Sequence, residues 1–152
     1  MSYWLVKSEP NSYSIDDLAR DKKTAWDGVR NYQARNYMRD QMKVGDQVLF
    51  YHSSTNPMAV VGVAEVASES YPDASALDAA DHHYDPKATP ENPIWALVDL
   101  AFVEKFKNPV TLKAAKADPQ LEGMMLIKQG SRFSVQPVSK AHFKRIIEMT
   151  QL

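Results

Sequence analysis

Two adjacent runs of β-branched and aromatic residues constrain the fold of this chain more than any other feature. The first run extends from Gln47 to His52 and the second from Met58 to Val66. Segments of this length and composition are typical of buried strands. The segment between them, Ser53 to Pro57, is a connection of hairpin size. The sequence therefore predicts a pair of strands in this part of the chain.

The remaining segments predict shorter strands and short helices around this pair. Further strands are expected at Tyr3 to Lys7, Thr24 to Trp26, Ile94 to Phe106 and Gly130 to Val138. Helices are expected after the capping residues Ser14, Thr111 and Ser139, and from Tyr32 to Met42. The prolines between Tyr71 and Pro93 indicate a long connection without regular structure. This mixture predicts an α+β fold, a small mixed β-barrel of about five or six strands with short peripheral helices.

Length and composition narrow the class of protein. With 152 residues the chain can bury one hydrophobic core, and we expect a single domain over residues 1–152. The absence of cysteine excludes disulfides and thiolate metal sites. No segment resembles a signal peptide or is apolar over the length of a bilayer, so we expect a cytoplasmic protein without a membrane partner. The sequence does not define the oligomeric state, and we favour a monomer.

Charge is distributed unevenly along the chain although the formal net charge is only −1. Between Glu65 and Glu104 the only basic residue is Lys87, whereas from Met124 onwards basic residues prevail and Glu148 is the single acid. A nearly neutral chain is not a general polyanion binder of the histone type. Affinity for nucleic acid would therefore have to come from a local patch and a shaped pocket.

The segment from Trp26 to Asn36, WDGVRNYQARN, combines side chains that suit a pocket for a nucleobase. It contains aromatic rings, arginines that can contact phosphate, and amides that can donate and accept hydrogen bonds. An alternative interpretation is structural: a turn at Asp27 and Gly28 followed by an amphipathic helix, with Trp26 and Tyr32 in the core and the arginines in solvent. Trp4 and Trp95 are interpreted as packing residues.

Four separated blocks of the chain, in one order, carry a specific resemblance. They are YWLVKSEP at 3–10, WDGVRNYQARN at 26–36, VGDQVLFYHS at 44–53 and GSRFSVQPVS at 130–139. Together with YDPKATPENPIWALVDL at 84–100, they resemble the EVE domain family. The resemblance implies a PUA-like barrel, similar in architecture to YTH domains, that recognises a modified nucleobase in DNA or RNA. It implies no cofactor, no metal and no catalytic residue.

Mapped onto this sequence, the resemblance implies a base-binding pocket, and the chemistry of three arginines suggests phosphate contacts. The base-binding pocket would be formed by Lys7, Ser8, Trp26, Val29, Arg30, Asn31, Tyr32, Asn36, His52, Ser53, Ser134 and Gln136. Phosphate would be bound by Arg30, Arg35 and Arg132, because a guanidinium is permanently charged and can contact two oxygens at once.

A different class of function, a small hydrolase or nucleotide-modifying enzyme, is the alternative. It would use His52, or the loop that contains His82 and His83 between two aspartates. His52 and Ser53 are adjacent on a predicted strand and would point to opposite faces, which argues against a catalytic pair. The Asp81–Asp85 loop offers ligand types suitable for zinc, but such clusters are common on acidic surface loops. We therefore expect binding without catalysis.

Overall fold

The computed structural model describes residues 1–128 and 133–152, and its main element is a six-stranded sheet. The strands of this sheet are β1 (Tyr3–Ser8), β2 (Lys23–Ala25), β3 (Gln47–His52), β4 (Ala59–Val66), β7 (Asp99–Thr111) and β8 (Val135–Val138). A separate pair consists of β5 (Tyr71–Pro72) and β6 (Ala96–Leu97). The large sheet has the order β2-β7-β4-β3-β1-β8 and curls into a half-barrel. The predicted α+β class and strand number are confirmed.

The strands that were predicted from hydrophobic runs pair with one another in the large sheet. The hairpin of β3 and β4 is confirmed, with a bulge between Phe50 and Tyr51. On its other edge, β3 pairs in parallel with β1, which places Ser8 beside His52 at one end of the sheet. The strand β8 then pairs antiparallel with β1. The first strand of the chain is thus held between the third and the last.

Both faces of the sheet are covered, because side chains alternate between two hydrophobic clusters. Trp4 and Val6 of β1 belong to one cluster and Leu5 to the other. Successive side chains of a strand point to opposite faces, so this division places one cluster on each face. The buried positions predicted for Trp4 and Trp95 are confirmed, with exposures of 3% and 5%. Each indole N–H is hydrogen-bonded, Trp4 to Asp46 and Trp95 to Asp85.

Four α-helices in the described part of the chain cover the faces, and the three predicted caps, at Ser14, Thr111 and Ser139, are confirmed. They are α1 (Ile15–Asp21), α2 (Tyr32–Asn36), α3 (Leu112–Ala117) and α4 (Lys140–Met149). Ser14 and Asp17 form a reciprocal capping box at α1. The hydroxyls of Thr111 and Ser139 accept hydrogen bonds from backbone N–H groups of α3 and α4. Within the described residues, no helix is both long enough and apolar enough to cross a bilayer.

Three segments differ from the pattern predicted from sequence. The helix expected from Tyr32 to Met42 is α2 followed by a π-helical turn, Tyr37–Gln41. The strand expected from Ile94 to Phe106 is divided into β6 and β7, and β7 continues to Thr111 because it pairs along most of β4. The long connection is largely irregular but contains β5 and a 3₁₀ turn, Ala74–Leu77. Long-range pairing, rather than local pattern, sets these boundaries.

Candidate functional site

A cavity of about 550 Å³ lies between the end of β1, the segment from Trp26 to Arg30, and the long connection. We call it the Trp26 cavity. It is lined by Lys7, Ser8, Glu9, Ser12, Tyr13, Thr24, Ala25, Trp26, Asp27, Gly28, Val29, Arg30, His82, His83 and Ser134. Its volume is in the range of pockets that enclose small organic ligands.

Trp26 combines a structural contact with an accessible surface. Its ring is half-buried and meets Phe50 of the core edge to face, with 5.5 Å between centroids and an interplanar angle of 81°. Tyr13 packs against it in the same manner at 6.3 Å. These contacts fix the orientation of the indole, while its remaining surface lines the cavity. Both interpretations of Trp26 drawn from the sequence therefore describe part of its position.

One wall of the cavity requires glycine at position 28. Gly28 has φ of +81°, a conformation that side-chain-bearing residues rarely adopt. A Cβ atom built on Gly28 would lie 2.6 Å from two atoms of the His83 ring. The His83 imidazole thus packs directly on the Gly28 backbone. A side chain at position 28 would therefore force the His83 ring to move.

Asp73 holds the two sides of this wall together. Its side chain, in a residue only 1% exposed, accepts hydrogen bonds from the Gly28 N–H at 2.9 Å and from the Arg30 guanidinium at 3.0 Å. The Ser75 hydroxyl and N–H donate to its other oxygen. Burial alone would raise the pKa of Asp73, but the hydrogen bonds from Ser75, Gly28 and Arg30 lower it below its ordinary value. A charged carboxylate therefore joins the connection to the sheet.

Arg30 lines the cavity, but most of its donors are used within the protein. Its guanidinium donates to Asp73, to Ser75 Oγ, and to the backbone oxygens of His83 and Val29. Four of the five N–H donors of a guanidinium are thereby engaged. The sequence suggested a phosphate contact, whereas the structure places Arg30 in an internal ion pair that fixes the connection.

The end of β1 supplies the opposite, polar side of the cavity. Ser8 donates its hydroxyl to the Tyr13 carbonyl at 2.6 Å, and the Lys7 N–H donates to the Ser134 carbonyl at 2.9 Å. Burial lowers the pKa of the Lys7 ammonium. Half of the predicted base-binding residues therefore come together here: Lys7, Ser8, Trp26, Val29, Arg30 and Ser134.

The other predicted base-binding residues lie outside the lining of this cavity. The Asn31 side chain caps α2 by accepting the Ala34 N–H, and Asn36 accepts hydrogen bonds from Arg35. The Ser53 N–H bonds to the Ser8 carbonyl, and Gln136 is buried and donates to the Phe133 carbonyl. Their local hydrogen bonds explain these positions. The predicted phosphate contact Arg132 lies outside the described residues.

His52 has a structural partner that bears on the enzymatic alternative. Its Nε2 atom accepts the backbone N–H of Ile15 at 3.1 Å, which ties the end of β3 to the start of α1. Burial lowers the pKa of His52, opposed by the nearby charge of Asp16. A nitrogen whose lone pair already accepts a hydrogen bond from a backbone N–H cannot at the same time deprotonate a nucleophile. His52 also lies outside the lining of the Trp26 cavity.

Tyr32 and Arg35 lie at a second cavity, of about 510 Å³, on the far side of Trp95. We call it the Tyr32 cavity. It is lined by Tyr32, Arg35, Arg39, Ser70, Tyr71, Pro72, Asn92, Pro93, Ile94, Trp95 and Ala96. Tyr32 stacks on Trp95 with 4.8 Å between ring centroids, and the Arg35 guanidinium lies over the Tyr32 ring at 4.9 Å. The sequence block from Trp26 to Asn36 is thus divided between two cavities.

Sequence reasoning missed several residues that line the Trp26 cavity, of which His82 and His83 carry the most chemistry. They were considered as possible metal ligands and as the loop that the alternative enzyme would use, but not as part of a binding pocket. Together with Asp81 they do offer ligand atoms within 4.8 Å of one another. His82, however, is 86% exposed, and Asp81 accepts the His83 N–H in a local turn. The turn at Asp27 and Gly28 was the one sequence signal that a second segment approaches closely at this point.

The fold and the site together define an α+β half-barrel protein with an aromatic and polar cavity beside its first strand. A family model described as the EVE domain matches residues 2–149, and the chain belongs to this family. Thymocyte nuclear protein 1 from Mus musculus is 38% identical over 169 aligned positions, which include 99% of this chain and 74% of that protein. The resemblance noted from the sequence blocks is thereby confirmed.

Solved structures match the whole architecture. A crystal structure of a Pseudomonas syringae protein has a TM-score of 0.94 and 45% identity, covering 98% of this chain and 99% of that one. Human THYN1 protein in complex with DNA that contains 5-methylcytosine has a TM-score of 0.93 and 34% identity, covering 100% of this chain and 99% of that one.

Proposed function

We propose that this chain binds nucleic acid and holds a modified base in the Trp26 cavity, without catalysing a reaction. The coarser part of this proposal is supported by the human relative that was solved with DNA containing 5-methylcytosine. The finer part, that the base enters the Trp26 cavity, is supported by the geometry of this chain. The polymer would be DNA or RNA, and the cytoplasmic location, the single domain and the monomeric state remain predictions.

The observation that carries the proposal is the position of the Trp26 ring. An indole that is fixed by nearly perpendicular ring contacts with Phe50 and Tyr13, and that lines a cavity, would offer a rigid ring on which a base can stack. Stacking of a base on an aromatic side chain contributes about 1–3 kcal/mol and tolerates modification of the base. A ring that is fixed before binding loses little conformational entropy when the base enters.

Polar groups around the ring match the edges of a base. The lining of the cavity includes the polar residues Lys7, Ser8 and Ser134 at the ends of two strands, and His82 and His83 of the long connection. A flipped base is recognised by stacking together with hydrogen bonds to its edge. The engaged guanidinium of Arg30 would hold the wall in place rather than contact phosphate.

The proposal assigns no catalytic role to the histidines. His52 accepts a backbone N–H outside the cavity, and His82 is almost entirely in solvent. A general base needs a proton within hydrogen-bond reach and a nucleophile that it orients. Among the described residues, the contacts of His52 and His82 include no serine or threonine hydroxyl.

The test is a calorimetric titration with free nucleosides in the presence of EDTA, which also removes any divalent metal. We expect 5-methyl-2′-deoxycytidine to bind about tenfold more tightly than 2′-deoxycytidine, because a methyl-sized group in a shaped pocket is worth about 1–3 kcal/mol. Trp26→Ala should abolish this preference, whereas Trp26→Phe should keep part of it. Equal affinities across a panel of modified and unmodified nucleosides would contradict the proposal.

Stability measurements on the same variants separate binding from folding. Trp26 is half-buried, so Trp26→Ala should lower the free energy of unfolding by about 1–2 kcal/mol, less than the ~3–5 kcal/mol of a fully buried tryptophan. A larger loss in thermal or denaturant unfolding would assign Trp26 to the core and remove it from the proposed site.

A further inference from the structure

The Tyr32 cavity has a composition suited to nucleic acid, although it is separate from the Trp26 cavity. Tyr32 and Tyr71 are 55% and 40% exposed, and both line it. Neither ring is loose: Tyr32 is stacked on Trp95, and the Tyr71 hydroxyl donates to Asp99 at 2.5 Å. Exposed aromatic rings held in fixed orientations are the platforms on which single-stranded bases stack.

The charge of this cavity favours an anion. Its described lining contains two arginines, Arg35 and Arg39, and neither aspartate nor glutamate. Arg35 is fixed by hydrogen bonds to Asn36 and to the Ile94 carbonyl. Arg39 pairs with Asp40, but both side chains are about half exposed, and such surface pairs contribute little. The Arg39 guanidinium can therefore exchange this partner for a phosphate.

A row of stacked groups connects the two cavities. Arg30, which lines the Trp26 cavity, has its guanidinium 5.3 Å from the centre of the Trp95 ring. The Tyr32 ring stacks on Trp95, and the Arg35 guanidinium lies over the Tyr32 ring. Arg30 and Trp95 therefore form a wall that the two cavities share. A strand with one base in the Trp26 cavity would pass over this wall.

We propose that the Tyr32 cavity is a second nucleotide subsite, which takes the unmodified nucleotide next to the modified base on the same strand. The base of this nucleotide stacks on Tyr32, and its phosphate contacts Arg39. This inference rests on the proposed function, since the modified base in the Trp26 cavity sets the position of the strand. The subsite contributes affinity for the polymer and no selectivity for the modification.

The experiment compares two ligands, the nucleoside 5-methyl-2′-deoxycytidine and a single-stranded DNA hexamer that contains one 5-methylcytosine. The variants are Arg39→Ala, Tyr32→Ala and Tyr32→Phe. Arg20→Ala is the matched control, because Arg20 is also an exposed arginine paired with the next aspartate and lines neither cavity. Titrations are repeated at several salt concentrations, and thermal melts verify that each variant is folded.

We expect Tyr32→Ala to weaken hexamer binding about fivefold or more, as loss of one stacked base does, and Tyr32→Phe to bind like the unaltered chain. Arg39→Ala should weaken hexamer binding and reduce the salt slope by about 0.7, the contribution of one phosphate contact. Nucleoside affinity should stay unchanged in all three variants, and Arg20→Ala should change neither ligand.

Two results would overturn the inference while leaving the proposed function intact. One is unchanged hexamer affinity in both Tyr32→Ala and Arg39→Ala. The other is an equal loss of nucleoside and hexamer affinity, which would assign these residues to the Trp26 cavity. A protein that binds methylated and unmethylated hexamers equally would instead overturn the proposed function, and with it this inference.

Discussion

Residues 26–30 and residues 32–36 are neighbours in the chain but serve different cavities. The first segment has no regular secondary structure and is bonded through the Trp26 N–H to the Val98 carbonyl and through the Gly28 N–H to Asp73. The second is α2, whose exposed face carries Tyr32 and whose Arg35 reaches back to Ile94. Between them, Asn31 has extended dihedral angles and caps the helix. The helix begins after Asn31. This residue therefore separates the side chains that line the Trp26 cavity from those that line the Tyr32 cavity.

The two cavities differ in the contacts that stabilise them. The Trp26 cavity depends on a buried carboxylate and a glycine that join distant parts of the chain, whereas the Tyr32 cavity depends on the stacking of exposed Tyr32 on buried Trp95. Buried polar contacts are costly to break because the remaining group loses its partner. Substitutions in the two regions should therefore differ in their effect on stability and on selectivity.

Among these substitutions, Asp73→Ala should have the largest effect on the free energy of unfolding, and it tests whether the Trp26 cavity depends on the buried carboxylate. It leaves the Arg30 guanidinium without its carboxylate in a site where that side chain is only 23% exposed. We expect the free energy of unfolding to fall by about 2–3 kcal/mol and nucleoside binding to be lost. The stacked Tyr32 and Trp95 do not use this carboxylate, so weak, unselective hexamer binding should remain.

The control for this variant is Asp78→Ala, also in the long connection. Asp78 is exposed and accepts only a local N–H, from Ala80, so its loss should cost less than about 1 kcal/mol. Urea unfolding of the two variants gives the comparison. Similar losses in both would mean that Asp73 is no more than a local cap.

Gly28→Ala and Gly45→Ala form a matched pair with a smaller expected effect. Both glycines have positive φ, +81° and +92°, so each alanine should cost about 1–2 kcal/mol from backbone strain. Only at position 28 would the new methyl group meet the His83 ring, since nothing lies within 4 Å at position 45. We expect nucleoside affinity to fall in Gly28→Ala and to be unchanged in Gly45→Ala. Equal affinities would show that His83 is not part of the binding wall.

The smallest expected effect is a pH dependence of the free energy of unfolding that originates from His52, which lies outside the lining of the Trp26 cavity. Burial lowers the pKa of His52 below its ordinary value of 6.5, and the neutral ring accepts the Ile15 N–H. Below pH 6.5 the unfolded chain takes up a proton that the folded chain does not, so the free energy of unfolding falls. This loss should be smaller in His52→Gln, whose amide oxygen can still accept a hydrogen bond. Identical pH profiles from pH 7 to 5 would exclude His52 as the source.

Local patterns predicted the framework well and the site only in part. The strands β1, β3 and β4 and the caps at Ser14, Thr111 and Ser139 depend on residues within a few positions, which a sequence displays directly. The contacts of Arg30 with Asp73 and Ser75 join residues more than forty positions apart. No local pattern distinguishes an arginine that meets a carboxylate at that separation from one that meets phosphate.

The positions of His82 and His83 in the lining of the Trp26 cavity also could not be predicted from a local pattern. His82 and His83 lie in a segment that reads as a polar loop, and their position at the cavity depends on Asp73 and Gly28. A turn signal at Gly28 indicates that backbone can approach closely there, but it does not identify which segment does. The sequence therefore shows which chemical groups are present, but it does not show which group each side chain contacts in the fold.

The pairing of β1 with both β3 and β8 has a consequence for biosynthesis. Ribosomes deliver the N-terminus first, and domains begin to fold as they emerge. The edge of β1 that pairs with β8 stays unpaired until residues 135–138 have been synthesised, and the Lys7 N–H likewise has to wait for Ser134. The polar end of the Trp26 cavity is completed by that same contact. A nascent or truncated chain that ends before β8 consequently exposes an open strand edge and lacks Ser134 from the lining of the Trp26 cavity.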